Sequence, residues 1–146
     1  MGEIRLRAKA VRSGENALRS TVKSRTFELT VDEPTSAGGS NMGPNPIEVL
    51  LSSLLGCINV IAYGCAKELG IEMESLELSA VGSFDPAKSK GEETSSRAGV
   101  SHIEVTLNPT TEGTPEQLEE WIRMIEERCP IADTLRQGTE VEIGLK

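Results

Sequence analysis

"GPNPIEVLLSSLLGCINVIAYGCAKELG", residues 43–70, is the most apolar stretch of the chain and holds two of its three cysteines. Asn45 can cap a helix, Pro46 suits the first helical position, and Glu48 completes a capping box at the third. The helix runs to about Leu69 and stops at Gly70, a residue suited to the left-handed turn that closes a helix. Such a rod is roughly 36 Å long. From Val49 to Ala66 no residue is charged, a run that reaches the length of a membrane span. Ser52, Ser53, Gly56, Asn59 and Gly64 dilute that apolarity, and no Trp or basic cluster anchors both ends. The stretch therefore reads as a core helix. Its apolar residues fall nearly all round, so it needs cover on most sides. A small domain lacks the mass for that, and association of subunits is the simplest remedy.

Outward from this helix the pattern changes to alternation. Residues 3–12 set Ile4, Leu6, Ala8 and Ala10 against charges, as a half-buried strand does. "SGEN" reads as a turn, residues 17–24 as a second strand, and "TFELTVD" as a third. The Gly-, Pro- and Ser-rich loop "EPTSAGGSNMGPNP" leads into the helix. Beyond it, 75–84 and 100–108 alternate as strands around a polar excursion at 85–99. Thr114, Pro115 and Gln117 repeat the capping logic for a second helix through Arg128. Its apolar stripe is Leu118, Trp121, Ile122 and Ile125, with Cys129 on the same face. Pro130 ends or kinks that helix, and "TEVEIGLK" closes the chain as a strand. The order βββ-α-ββ-α-β contains no repeated βαβ unit, so an α+β fold with antiparallel sheet is expected. With no internal repeat or linker, residues 1–146 read as a single domain.

Composition narrows the function. A net charge of −8 leaves little to neutralise phosphates, which argues against nucleic acid or an anionic membrane as partner. The N-terminus lacks the apolar core of a secretory signal, so the expected compartment is the cytosol, where cysteines stay reduced. No serine-hydrolase elbow, phosphate-binding loop or dinucleotide fingerprint occurs. Cys57, Cys65, His102 and Cys129 form no pair at metal-ligand spacing, so neither metal nor cofactor is expected. His102 reads as a partly exposed strand residue. The two helix cysteines could both be small core residues. Cys129, however, points toward the core that must contain the first helix, so a meeting of Cys57 with Cys129 is an open possibility.

Two separated motifs carry a resemblance. "DEPTSAGGSNMGPNPIEVLLSSLLGC" (32–57), followed by "EERCPIADTL" (126–135), resembles the OsmC/Ohr family of thiol peroxidases, most nearly its OsmC-like branch. The resemblance covers essentially the whole chain. It implies the OsmC fold, an intertwined homodimer whose antiparallel sheets wrap two long central helices. It also implies that Cys57 is the peroxidatic cysteine and Cys129 the resolving one. Glu48 would orient an arginine beside the reactive thiolate, and Cys65 would be a packing residue. The chain departs from the better-studied branches in having no arginine between Thr35 and Pro46. Arg25, which opens "RTFELTVDEP", is the candidate, with Arg12, Arg19 and Arg97 as others.

The chemistry explains why the arginine matters. A thiol with an ordinary pKa of about 8.5 is a few per cent thiolate near neutrality, and burial lowers that fraction. Cys57 lies mid-helix, so no helix N-terminal dipole is expected to help it. The expected activity is cofactor-free reduction of hydroperoxides, organic ones preferred, through a Cys57 sulfenic acid and a Cys57–Cys129 disulfide that a dithiol reductant reopens. The alternative is a redox-sensing or small-ligand-binding protein on the same fold. A cysteine hydrolase is disfavoured, since only Glu48 or a displaced His102 could act as base.

Overall fold

The structure is a computed structural model, and it describes residues 4–12 and 15–145. The chain divides into two compact units, Met1–Leu50 and Leu51–Lys146.

The first unit is a three-stranded antiparallel meander, β1 (Lys9–Arg12), β2 (Ser20–Ser24) and β3 (Phe27–Val31), in the order β1-β2-β3. Register is set by Lys9 opposite Lys23 and by Ser24 opposite Phe27, which leaves Arg25 and Thr26 as a two-residue hairpin loop. β1 is shorter than the expected strand over 3–12, and the "SGEN" turn lies partly outside the described residues. After β3 the chain folds around Asp32, whose side chain is only 1% exposed. Its carboxylate accepts the backbone N–H groups of Glu33, Ser40 and Met42 and the Ser40 hydroxyl at 2.6 Å. A Cβ on Gly39 would lie 1.9 Å from the Glu33 carbonyl oxygen, and one on Gly43 2.2 Å from that of Thr30. Only glycine lets the loop close this tightly. The closure delivers Asn45 to the start of α1 (Pro46–Glu68). There the Glu48 N–H donates to the Asn45 side chain at 2.9 Å, and the Asn45 N–H donates back to the Glu48 carboxylate at 2.7 Å. The capping box read from the sequence is therefore in place.

In the second unit α1 ends as the glycine signal requires. Gly70 has φ +66°, Ile71 N–H donates to Ala66 O at 2.9 Å, and Gly70 N–H to Lys67 O at 3.3 Å. This is a Schellman ending, with Ile71 buried beneath it. β4 (Met73–Ser83) and β5 (His102–Thr111) form a two-stranded antiparallel sheet. Leu76, Leu78, Ile103, Val105 and Leu107 pack from it against the core, while the residues between them face outward. The core itself joins Leu54, Ile58, Ala62, Cys65 and Ala66 of α1 to Trp121, Met124 and Ile125 of α2 (Pro115–Arg128). α2 carries the Thr114/Gln117 capping box. Of the stripe read from its spacing, Trp121 and Ile125 are buried and Leu118 is half-buried, but Ile122 is 44% exposed. Met124 takes the buried place instead, because the buried face is turned toward i, i+3, i+4 from Trp121.

Two expectations need correction. Pro130 ends α2 but also opens a further helix, α3 (Pro130–Gln137), because proline's fixed φ suits a first helical position as well as a break. Residues 139–145, expected as a closing strand, form no ladder. Val141, Ile143 and Leu145 are each more than three-quarters exposed. Their alternation is that of a strand, but a strand exists only against an edge. α1 is likewise half-covered, with Val60 67% and Tyr63 73% exposed.

The four donors on Asp32, the Ser40 hydroxyl foremost, lower its carboxyl pKa from 3.8 to about 2. A depressed folded-state pKa means that this contribution to stability is complete above the ordinary 3.8. It is lost as pH falls from there through about 2. The Ser40 and Met42 amide resonances should titrate with a midpoint near 2, and the inflection should vanish in Asp32→Asn; a midpoint near 3.8 would contradict this.

Candidate active site

The two ends of α2 fix it to α1 at separate points. The Trp121 indole N–H donates to Ala62 O at 2.8 Å, with Trp121 1% exposed and Ala62 fully buried. At one end of α2 the Gln117 side chain donates to Leu69 O at 3.3 Å. At the other, one nitrogen of Arg128 donates to both Glu68 carboxylate oxygens, at 2.9 and 2.8 Å. Directly after Arg128 comes Cys129, which ends α2 and caps the start of α3.

That placement brings together two thiols distant in sequence. Cys129 Sγ lies 3.2 Å from Cys57 Sγ, and the three cysteines are all free thiols. Cys57 is partly exposed, whereas Cys129 is buried at 1%. At this separation the pair is held by one S–H···S hydrogen bond, the Cys129 thiol donating to Cys57 Sγ. Burial pushes the Cys57 thiol up from its ordinary value, and the neighbouring sulfur adds to the rise. The backbone N–H of Ile131 pulls the other way. The sequence offered Cys57 no helix N-terminus because it lies mid-helix in α1. The N-terminus at its sulfur belongs to α3, a helix the sequence reading did not contain. The dipeptide Cys129-Pro130 was its available signal, since proline favours the first helical position as well as a helix end.

Cys65 takes its place in the core at 2% exposure. Burial raises its thiol as well, and the Arg128 guanidinium beside it acts against that rise. His102 is exposed at the start of β5. Among the described residues no three His, Cys, Asp or Glu side chains cluster as metal ligands.

Glu48 and the candidate Arg25 belong to the first unit. Arg25 occupies the β2–β3 hairpin loop with φ +56°, a left-handed conformation uncommon for a non-glycine residue. Its guanidinium stacks over the Phe27 ring, 5.1 Å from the centroid. Arg12 lies in β1 and Arg19 just before β2. Arg97, in the second unit, lies in the β4–β5 connection with its guanidinium folded over Gly99.

An α+β architecture with antiparallel sheets and a facing thiol pair defines the class: a dithiol protein of mixed fold. The family model described as OsmC-like protein matches residues 38–144, and the chain belongs to that family. Solved structures agree on the fold. An OsmC-like protein from Mycoplasma pneumoniae superposes with a TM-score of 0.79 at 24% identity, over 94% of this chain and 91% of that one. An organic hydroperoxide resistance protein OsmC from Legionella pneumophila gives 0.66 at 19% identity, over 93% and 92%. An organic hydroperoxide resistance protein from Elizabethkingia anophelis gives 0.66 at 20%, over 94% and 91%. At these identities the likeness establishes the fold alone. No curated protein sequence matches the chain significantly.

Replacing Trp121 with Phe removes one buried hydrogen bond and part of a packed ring. Urea denaturation should show a loss of about 1–3 kcal/mol. Cys57–Cys129 crosslinking by oxidised glutathione should slow in parallel; an unchanged crosslinking rate would separate the thiol contact from the indole.

Proposed function

We propose that the chain reduces hydroperoxides in the cytosol, without a cofactor, through the Cys57–Cys129 pair. The observation that supports this reading is the 3.2 Å contact between sulfurs 72 residues apart. The Cys57 thiolate attacks the distal oxygen of ROOH. The O–O bond breaks, the alkoxide takes a proton and leaves as ROH, and Cys57 is oxidised to the sulfenic acid. The Cys129 sulfur then forms an S–S bond with Cys57, and the sulfenic oxygen departs as water. Closing from 3.2 Å to a covalent separation of about 2.05 Å needs a shift that side-chain rotation can supply. A dithiol reductant exchanges with the disulfide, returning both thiols and leaving as its own disulfide. Leu54, Ile58 and Ile131 near the pair in sequence and packing favour an organic hydroperoxide over hydrogen peroxide.

Arg25 is the arginine assigned to the thiolate, and Glu48 the carboxylate that orients it. A bulky residue held at positive φ is the kind of backbone strain that gathers at functional positions. The working unit is a homodimer, with no nucleic acid or membrane as partner. Val60 and Tyr63 on α1, Ile4 and Leu6 near the N-terminus, and Val141, Ile143 and Leu145 are apolar side chains left in solvent. The alternative, a ligand-binding protein, is favoured by an open groove of about 430 Å³ lined by Asn59, Tyr63, Lys67, Ile71, Met73 and Leu76. Tyr63 belongs to the face assigned to the second subunit, and no cysteine lines the groove, so peroxide reduction ranks first.

One equivalent of an organic hydroperoxide should convert Cys57 and Cys129 to a disulfide, read by mass spectrometry of alkylated peptides. Cys129→Ser should stop at the sulfenic acid, and Cys65→Ala should leave turnover in place. Arg25→Gly, which suits the positive φ, should keep the melting midpoint while lowering the rate about tenfold or more. Free thiols surviving at 57 and 129 would sink the proposal. Sedimentation equilibrium should return twice the chain mass, and Val60→Lys should shift it toward one; a wild-type monomer at micromolar concentration would refute the dimer.

A further inference from the structure

Cys57 and Cys129 are both free thiols, and their sulfurs lie 3.2 Å apart. They come from separate helices, Cys57 from the middle of α1 and Cys129 from the junction of α2 with α3. The Trp121–Ala62 hydrogen bond joins those helices, so the fold itself sets the separation. A fixed pair of soft donors is a chelate, and its spacing selects what it holds. At a metal–sulfur bond of about 2.3 Å, sulfurs 3.2 Å apart subtend close to a right angle. Zinc asks for the wider tetrahedral angle and for four ligands. Among the described residues no three His, Cys, Asp or Glu side chains cluster to supply them. A linear two-coordinate ion such as copper(I) needs its sulfurs on opposite sides, about 4.6 Å apart at the same bond length. Trivalent arsenic has a lone pair and three pyramidal bonds set not far above right angles. It matches both the angle and the supply of two sulfurs, with its third bond already taken by a group of its own.

We propose that the reduced Cys57–Cys129 pair is a chelating site for trivalent organoarsenicals, compounds with one arsenic–carbon bond and two positions open to sulfur. The arsenical enters as the oxide, RAs=O. The partly exposed Cys57 sulfur forms the first As–S bond, and its proton passes to the oxygen. The Cys129 sulfur forms the second, and the hydroxyl leaves with the Cys129 proton as water. The product is a cyclic dithioarsenite in which arsenic is still trivalent, so the step needs neither oxidant nor reductant. Because the arsenic arrives on Cys57, the burial of Cys129 to 1% does not bar it. The adduct is uncharged, which suits a surrounding of buried Leu54 and Ile58 and half-buried Ile131. A carbon substituent suits it as well. The hydroxyl that inorganic arsenite keeps needs a hydrogen-bond partner, and among the described residues no buried side-chain nitrogen or oxygen is waiting for one. Cys65 offers a single sulfur, buried at 2% beside Arg128 and Glu68. An occupied pair has no thiol left for oxidation, so the ligand also shuts off the redox cycle proposed above, although its binding does not depend on that cycle.

The test titrates phenylarsine oxide into the reduced full chain. Calorimetry should return one site per chain, and arsenic X-ray absorption should show two sulfur neighbours and one carbon. Wild-type protein first oxidised with diamide should bind nothing, a control that needs no variant. Cys57→Ser and Cys129→Ser should each weaken binding about a hundredfold or more, since either change removes the chelate. Cys65→Ala should bind as the wild type does. Inorganic arsenite should bind about tenfold more weakly than phenylarsine oxide. A single sulfur neighbour, binding that survives diamide, loss of binding in Cys65→Ala alone, or arsenite bound as tightly would each overturn the proposal. No measurement uses peroxide, so a protein that fails to turn over hydroperoxide still decides whether the pair takes arsenic.

Discussion

The contact between Trp121 and Ala62 is the constraint on which the second unit is organised. An indole buried to 1% carries a donor that must be paired, and the Ala62 carbonyl pairs it at 2.8 Å. That pairing fixes α2 in both rotation and translation along α1, which dispersion packing alone does less sharply. Two residue types make the approach possible. Ala62 is small enough to admit the ring, and its neighbours Ile58, Cys65 and Ala66 close around it. From that fixed point, the eight residues to Cys129 carry the second thiol to the first. The ion pair between Arg128 and Glu68 holds the same end of α2 from outside; being exposed, it contributes little stability and acts chiefly on position.

Electrostatics at the thiol pair are a contest between burial and directed donors. Burial makes the Cys57 sulfur resist ionisation, and the neighbouring sulfur adds to that resistance. The chain contains a separate example of how far directed donors can go. Asp32 is as buried as Cys129, yet four donors hold its carboxyl below the usual carboxylate range. Cys57 has one amide and one thiol where Asp32 has three amides and a hydroxyl, and sulfur is the weaker acceptor. The balance at Cys57 consequently stays on the side of burial.

Much of this was legible in the sequence. Capping boxes at Asn45/Glu48 and Thr114/Gln117 and the stop at Gly70 are local signals, and each appears as read, whereas the stripe of α2 holds at Trp121 and Ile125 but exposes Ile122 and buries Met124 in its stead. The juxtaposition of Cys57 and Cys129 was left open, because periodicity gives a face but not the neighbour opposite it. α3 was missed because one residue, Pro130, signals both an end and a beginning. The strand read at 139–146 failed for a different reason. Its alternation was real, but pairing is a property of two segments, and 139–145 pairs with none of the described strands. Asp32 looked like an ordinary loop acid, since nothing local says that donors from Ser40 and Met42 will return to it.

The chain contains one tryptophan and one tyrosine. That tryptophan is also the residue that joins α1 to α2, shielded from water and with its only donor occupied. Its emission is therefore that of a single, uniform environment, free of the overlapping signals that blur such spectra in aromatic-rich proteins. Any loosening between the two helices reaches the indole as solvent access and a red shift, while events confined to the meander leave it dark. The molecule has an optical gauge built into the joint that carries its thiols.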